Sequence, residues 1–172
     1  EVTATLAWAC IAALAAVSGA MVWRSRDELA AQWREVRRVW LAGEMLFALA
    51  YVTFCVFRAY NPEIAATEKP MELAFINGIL RSAHFPPQDP WLSGFAISYY
   101  YGGYALTAML TLAARASSAF TFNLTNVTLF ALTASGAFGI VVELVLCRER
   151  QVGAPQGVSQ RRAICAGVLG AF

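Results

Sequence analysis

The chain has 172 residues, of which 59% are hydrophobic and 14% charged, with a formal net charge of +2 and a mean hydropathy of +0.54. This composition is far more apolar than that of a soluble domain and too weakly basic for a nucleic-acid protein, so it places the chain in a membrane and excludes nucleic acid as a partner. The basic residues stand beside apolar runs, where lipid headgroups are the natural contact. Cys10, Cys55, Cys147 and Cys165 are scattered singly through apolar surroundings, which reads as small buried hydrophobes rather than a disulfide or metal framework. The chain opens at Glu1 without a methionine and closes at Phe172 inside a new apolar run, so it is expected to be a piece of a longer protein.

Residues 2–23 form an apolar run of the length that crosses roughly 30 Å of hydrocarbon. It lacks basic residues ahead of it and a small-residue cleavage site behind it, so it reads as a spanning helix rather than a signal peptide. Residues 24–38 follow as a basic amphipathic connector. Ser25-Arg26-Asp27-Glu28 has the capping-box pattern, and Leu29, Trp33, Val36 and Trp40 recur at helical spacing among Arg26, Arg34, Arg37 and Arg38, as in a helix lying at a headgroup surface. Residues 39–57 make a second span. It carries Glu44, whose carboxylate in hydrocarbon is expected to snorkel or to pair with Arg37 or Arg38.

Residues 58–90 are a polar passage between apolar runs. Arg58-Ala59-Tyr60-Asn61-Pro62 leaves the membrane through a turn-prone pair, and residues 67–83 read as a helix with Thr67 as N-cap and Pro70 in its tolerant first turn. Helical spacing puts Met71, Phe75, Ile79 and Ala83 on one stripe. Glu68 and Glu72 fall on that stripe, whereas Asn77 and Arg81 point away. Two acids four residues apart on a half-buried face repel unless a cation or a hydrogen bond compensates, so the pair suits a general base or a divalent metal. An exposed first turn, where acids favour the helix dipole and Lys69 offsets them, is the structural alternative.

Phe85-Pro86-Pro87 and Asp89-Pro90 stiffen the next corner and hold Asp89 at the mouth of the following segment. His84, the single histidine, has no neighbouring ligand type and reads as structural. Residues 91–146 supply two further membrane segments, beginning with Trp91 and with Tyr99, Tyr100 and Tyr101. Three consecutive tyrosines on a helix would point in different directions, so at least one is expected to line a polar cavity. Ser135 and Gly139 permit close helix packing, and Glu143 is expected to pair with Arg148. Residues 147–162 are a polar linker, and 163–172 begin a fifth membrane helix. The expected fold class is therefore an all-α polytopic membrane protein with about four to five transmembrane helices. If four segments cross, the arginines at 148, 150, 161 and 162 lie opposite those of 24–38, against the positive-inside tendency; a segment that dips into the membrane after Trp91 and returns would reunite them.

Arg58-Ala59-Tyr60-Asn61-Pro62, Thr67-Glu68-Lys69-Pro70-Met71-Glu72-Leu73-Ala74-Phe75, Phe85-Pro86-Pro87-Gln88-Asp89-Pro90-Trp91-Leu92-Ser93-Gly94 and Tyr99-Tyr100-Tyr101, in that order, resemble the signature of the Chlor-Arch YYY integral membrane proteins. The resemblance implies a prokaryotic plasma-membrane protein grouped with the GT-C glycosyltransferases, which use polyprenyl-phosphate-linked sugars and an acidic residue in an extracytoplasmic loop, here residues 58–90. It further implies Glu68 and Glu72 as catalytic residues. Glu68, Glu72 and Asp89 become possible ligands of Mg or Mn, and Arg58, Lys69, Trp91, Tyr99, Tyr100 and Tyr101 contacts of the substrate. Glu72 departs from the aspartate usual in that signature by one methylene, which loosens any metal geometry. The alternative is a non-catalytic scaffold that packs against partner transmembrane helices, contacting membrane lipid and other membrane subunits.

Overall fold

The computed structural model describes residues 3–153 and 155–171, with the side chain of Gln156 also left aside. These fold into α1 (Ala4–Arg24), α2 (Arg26–Tyr60), α3 (Lys69–Arg81), α4 (Gly102–Ala114), α5 (Ser118–Gln151) and α6 (Gln156–Gly170). The all-helical membrane class follows directly. Among the described residues α1, α2 and α5 are long and apolar enough to cross a membrane. At about 1.5 Å per residue, the 13 residues of α4 rise only about 20 Å, short of the roughly 30 Å of hydrocarbon. The segment expected as a third span is thus a long loop followed by a short helix. The basic connector is likewise no separate element: it is the first part of α2, which runs unbroken for 35 residues.

The chain divides into two compact units, Glu1–Arg24 with Asn61–Thr125 and Ser25–Tyr60 with Asn126–Phe172. In the first, α3 and α1 both pack on α4. The apolar stripe of α3 is realised as buried Phe75, Ile76 and Ile79, which share a core with Ile97, Ala108 and Phe122. Thr107, Thr111 and Thr121 are buried in this unit, and their hydroxyls are satisfied locally. Thr107 donates to the Gly103 carbonyl at 3.1 Å, Thr111 to that of Thr107 at 2.7 Å, and the hydroxyls of Thr111 and Thr121 meet at 2.6 Å. Such back-bonding lets polar side chains sit inside an apolar unit without an orphaned group. Arg115, at φ 52°, takes the left-handed C-cap position that ends α4.

The loop from α3 to α4 is pinned to α3. Ser82 Oγ donates to the Gly78 carbonyl at 2.8 Å and accepts the Gln88 N–H at 2.9 Å. A Cβ on Gly78 would lie 3.2 Å from the Gln88 carbonyl oxygen, so any larger residue would push the loop back by a few tenths of an ångström. Beyond it, Gln88 and Ala96 form an antiparallel bridge, flanked by Asp89 N–H to Phe95 O and Ile97 N–H to Pro87 O, both 2.9 Å. The proline-stiffened corner is therefore a folded-back loop with Pro87 fully buried.

In the second unit α5 runs antiparallel to α2. Phe54 and Phe130 stack at 4.6 Å, Phe138 lies beside Gly43, and Glu35 and Arg150 line one cleft at the remaining end. Phe138 is buried with Leu46, Val142 and Ala163. A Cβ on Gly43 would meet its ring at 3.4 Å, and one on Gly167 at 2.7 Å, so the phenyl ring is seated between two glycines of α2 and α6. This is the small-residue logic of membrane packing, in which missing side chains let a neighbour approach. At the polar end Gln160 Nε2 donates to the Glu35 carbonyl at 2.7 Å. That contact brings the basic start of α2 level with the end of α5 and the start of α6, so the arginines of 26–38, 148–150 and 161–162 share one end of this unit.

Two expected ion pairs do not form. Neither Glu44 with Arg37 or Arg38 nor Glu143 with Arg148 is within salt-bridge distance; Glu149 pairs instead with Arg162 at 3.4 Å. Glu44 and Glu143 project to the surface, where solvent or headgroups can compensate them as well as an arginine would.

Candidate active site on the first unit

The first turn of α3 carries the candidate acids. Its N-cap is Glu68 with no side-chain capping bond, and Pro70 stands in the first turn. Thr67 is not the cap: Ala66 and Thr67 both hold positive φ, 64° and 52°, in a left-handed turn that delivers the chain into the helix one residue later than expected. The helix continues by the Glu72 N–H to Glu68 O bond at 2.9 Å. Glu68 is exposed and Glu72 half-buried, so the shared stripe divides into a solvent-facing acid and one turned toward α4.

Glu72 meets Tyr104 there. The Tyr104 hydroxyl donates to Glu72 Oε1 at 3.4 Å, long for a hydroxyl–carboxylate bond. The Tyr104 hydroxyl is pushed up to about 12, first by burial and then by the nearby charge of Glu72, with Glu68 contributing more weakly. Each cause disfavours the phenolate, so Tyr104 acts as a neutral donor. Its ring lies 5.8 Å from Phe75, which is 5.7 Å from Tyr99. Glu72 thus sits at the edge of an aromatic patch built on α3.

The three tyrosines precede α4 rather than forming part of it. Tyr99 lies against Phe75, Tyr100 meets Tyr99 edge-on at 5.4 Å and is 88% exposed, and Tyr101 turns into the core against Phe85 at 6.2 Å. Because they stand outside the helix, helical rotation does not set their directions. Trp91 is 70% exposed on the same loop. Lys69 is half-buried at the start of α3. Arg58 belongs to the second unit, buried in the last turn of α2.

Asp89 is placed elsewhere. Its Oδ1 accepts the N–H groups of Trp91 at 2.8 Å and Leu92 at 3.1 Å, an Asx turn. It lines a cleft of about 370 Å³ with Asn77, Gly78, Arg81, Ser82 and Gln88, on the face of α3 that points away from Glu72. Among the described residues no three His, Cys, Asp or Glu side chains come together as a metal group. The expected set of Glu68, Glu72 and Asp89 is therefore not assembled, because the Asx turn commits Asp89 to its own loop. These residues do not fit a three-carboxylate metal centre.

One member of the site escaped the sequence reading. Tyr104 stands in the same tyrosine-rich run, but only the packing of α3 on α4 reveals that it faces Glu72. Arg81 and Asn77 were read as pointing away from the acids; the fold gives that second face Asp89 as a neighbour.

The sequence pattern of the family described as Uncharacterized membrane protein (DUF2298) matches residues 1–172. The chain belongs to that family. Neither the curated proteins nor the solved structures contain a match to it.

Proposed function

We propose that this member of a membrane-protein family is a GT-C-like glycosyltransferase of the prokaryotic plasma membrane, using a polyprenyl-phosphate-linked sugar donor, with residues 58–90 on the outer side. The observation that carries this reading is the half-buried Glu72 carboxylate, held by Tyr104, whose ring packs on Phe75 next to the exposed Tyr99. A carboxylate next to flat apolar surfaces suits a sugar, whose hydroxyls need acceptors and whose ring faces stack on aromatics. The shared arginine end of the second unit supports the orientation. By the positive-inside tendency that end is cytoplasmic, and α2 then releases the chain at its opposite end, before residue 61.

In the proposed reaction the acceptor hydroxyl attacks the anomeric carbon, and the bond from that carbon to the phosphate oxygen breaks with its electron pair leaving on the phosphate. The acceptor proton passes to Glu72 Oε2, which has no hydrogen bond among the described residues, while Tyr104 fixes Oε1. Glu68 orients the acceptor. Lys69 offsets the charge on the departing lipid phosphate, and Trp91, Tyr99 and Tyr100 present faces to the sugar. Tyr101, turned into the core, supports the loop.

The test is sugar transfer from polyprenyl-phosphate donors by the reconstituted protein, comparing wild type with Glu72→Gln and Glu68→Gln. Loss of the base is expected to lower transfer by about 10²–10⁴-fold, with a smaller loss for Glu68→Gln; full activity in Glu72→Gln would remove the central residue. A scaffold role is supported by a different observation: Gly136 and Gly139 of α5 have open space where a Cβ would be, a surface that admits a partner helix closely. Co-purification of another membrane subunit that is lost in Gly139→Leu, together with absent transfer, would favour that role.

A further inference from the structure

The loop between α3 and α4 carries a tight tip. Gln88 and Ala96 pair across its base, and Gly94, at φ 84°, makes the turn in a conformation that a side chain would strain. Trp91, Leu92 and Phe95 project from this tip, each more than half exposed. The backbone beneath them is already paired. Asp89 Oδ1 accepts the N–H groups of Trp91 and Leu92, the Phe95 N–H donates to the Leu92 carbonyl, and the Asp89 N–H donates to that of Phe95. Apolar side chains outside and paired N–H groups inside are what an irregular segment needs before it can leave water.

Two further observations choose the partner. The charged residues that begin with Glu63 stop at Asp89, and residues 90–114 carry none before Arg115 caps α4. Tip, tyrosines and α4 are thus one uncharged stretch. In turn α4 packs on α1, where Ala7 is the buried residue and every residue from Trp8 to Arg24 is exposed. The body formed by α3, its loop and α4 therefore covers α1 only at its first turns. Beyond it α1 continues for about 25 Å, at 1.5 Å per residue, as bare apolar helix. If α1 crosses the bilayer, this body sits at one membrane face, and the uncharged stretch is the part of it that suits lipid. Aromatic and aliphatic side chains at that level are the usual composition of the headgroup–acyl boundary. We propose that residues 91–95 anchor this unit in the bilayer surface, with Leu92, Phe95 and the Trp91 indole entering the boundary between headgroups and acyl chains. The partner is the lipid surface itself. Leu92 and Phe95 play no part in the sugar-transfer reading, so the two readings stand or fall separately.

The experiment places a nitroxide on the full chain, with its native cysteines replaced by alanine, at Leu92→Cys, Phe95→Cys or Arg81→Cys. The protein is reconstituted in vesicles of phosphatidylethanolamine and phosphatidylglycerol. All three side chains are exposed, so the label is accommodated without repacking. Collisions with oxygen, which concentrates in lipid, are expected to exceed those with a water-soluble nickel chelate at 92 and 95, with the order reversed at 81. Unaltered wild type supplies a second measurement: a phosphatidylcholine with a diazirine near the head of its acyl chain, added to the same vesicles, is expected to label residues 91–95 on illumination. Nickel collisions prevailing at both 92 and 95 would overturn the proposal. So would shielding of both sites from both reagents, the sign of a protein partner covering the tip, or photolabelling of wild type that omits residues 91–95.

Discussion

The two units solve the same problem, burying polar chemistry in an apolar chain, in opposite ways. In the first, α3, α4 and their long loop are held by hydrogen bonds: the threonine ladder, the Ser82 bridge and the Asx turn of Asp89. In the second, close packing dominates, with Phe138 between Gly43 and Gly167 and alanines 50, 131 and 134 buried together. The difference teaches where to look for function. Hydrogen-bonded loops can hold charged side chains at a surface at modest cost, whereas close-packed helices can hold an apolar groove between them.

Breaking the packing of the second unit should have the largest effect. Phe138→Ala removes the ring that fills the space between α2 and α6 and is expected to cost about 3–5 kcal/mol, read as a lowered midpoint of thermal unfolding in detergent. Gly167→Ala tests the same joint from the other side. Its Cβ would stand 2.7 Å from Phe138 Cδ2 and 2.8 Å from Val142 Cγ2, so about 1–3 kcal/mol of overpacking is expected. Gly136→Ala, with nothing within 4 Å, serves as the control and should fall within about 0.5 kcal/mol of wild type. Equal midpoints for these two glycine variants would show that the second unit does not depend on its glycine contacts.

The first unit should respond to lost hydrogen bonds rather than lost volume. Ser82→Ala leaves the Gln88 N–H without its acceptor and is expected to cost about 1 kcal/mol, with earlier proteolysis of the loop between α3 and α4 as the readout. The smallest effect belongs to Tyr104→Phe, whose bond to Glu72 is long; it should cost under about 1 kcal/mol. The same variant has a pH signature. The unfolded chain loses the tyrosine proton near its usual value of about 10, the folded chain only near 12. The folded state binds more protons between these values, so stability contributed by Tyr104 is complete below about pH 10 and falls as pH rises to 12. Wild type should therefore lose stability more steeply than Tyr104→Phe above pH 10; parallel curves would mean that Tyr104 titrates alike in both states.

Much of the fold was legible because membrane residence and helix formation are written locally. Long apolar runs can only satisfy their backbone in hydrocarbon as helices, and these runs are α1, the later part of α2 and most of α5. The stripe of Phe75, Ile76 and Ile79 likewise predicted which face of α3 is buried. Where local reading failed, a neighbour had overridden it: positive φ at Thr67 moved the start of α3, and Asp89 spent its carboxylate on Trp91 and Leu92.

By itself the sequence determined the membrane class, the helical content and the apolar faces, since those follow from composition, period and run length along a continuous chain. Only the tertiary structure decided that Tyr104 meets Glu72, that Asp89 does not, and that two arginine clusters more than a hundred residues apart share one end of a unit. Each of these is a pairing between segments remote in sequence, and no local period encodes which helix ends are brought level.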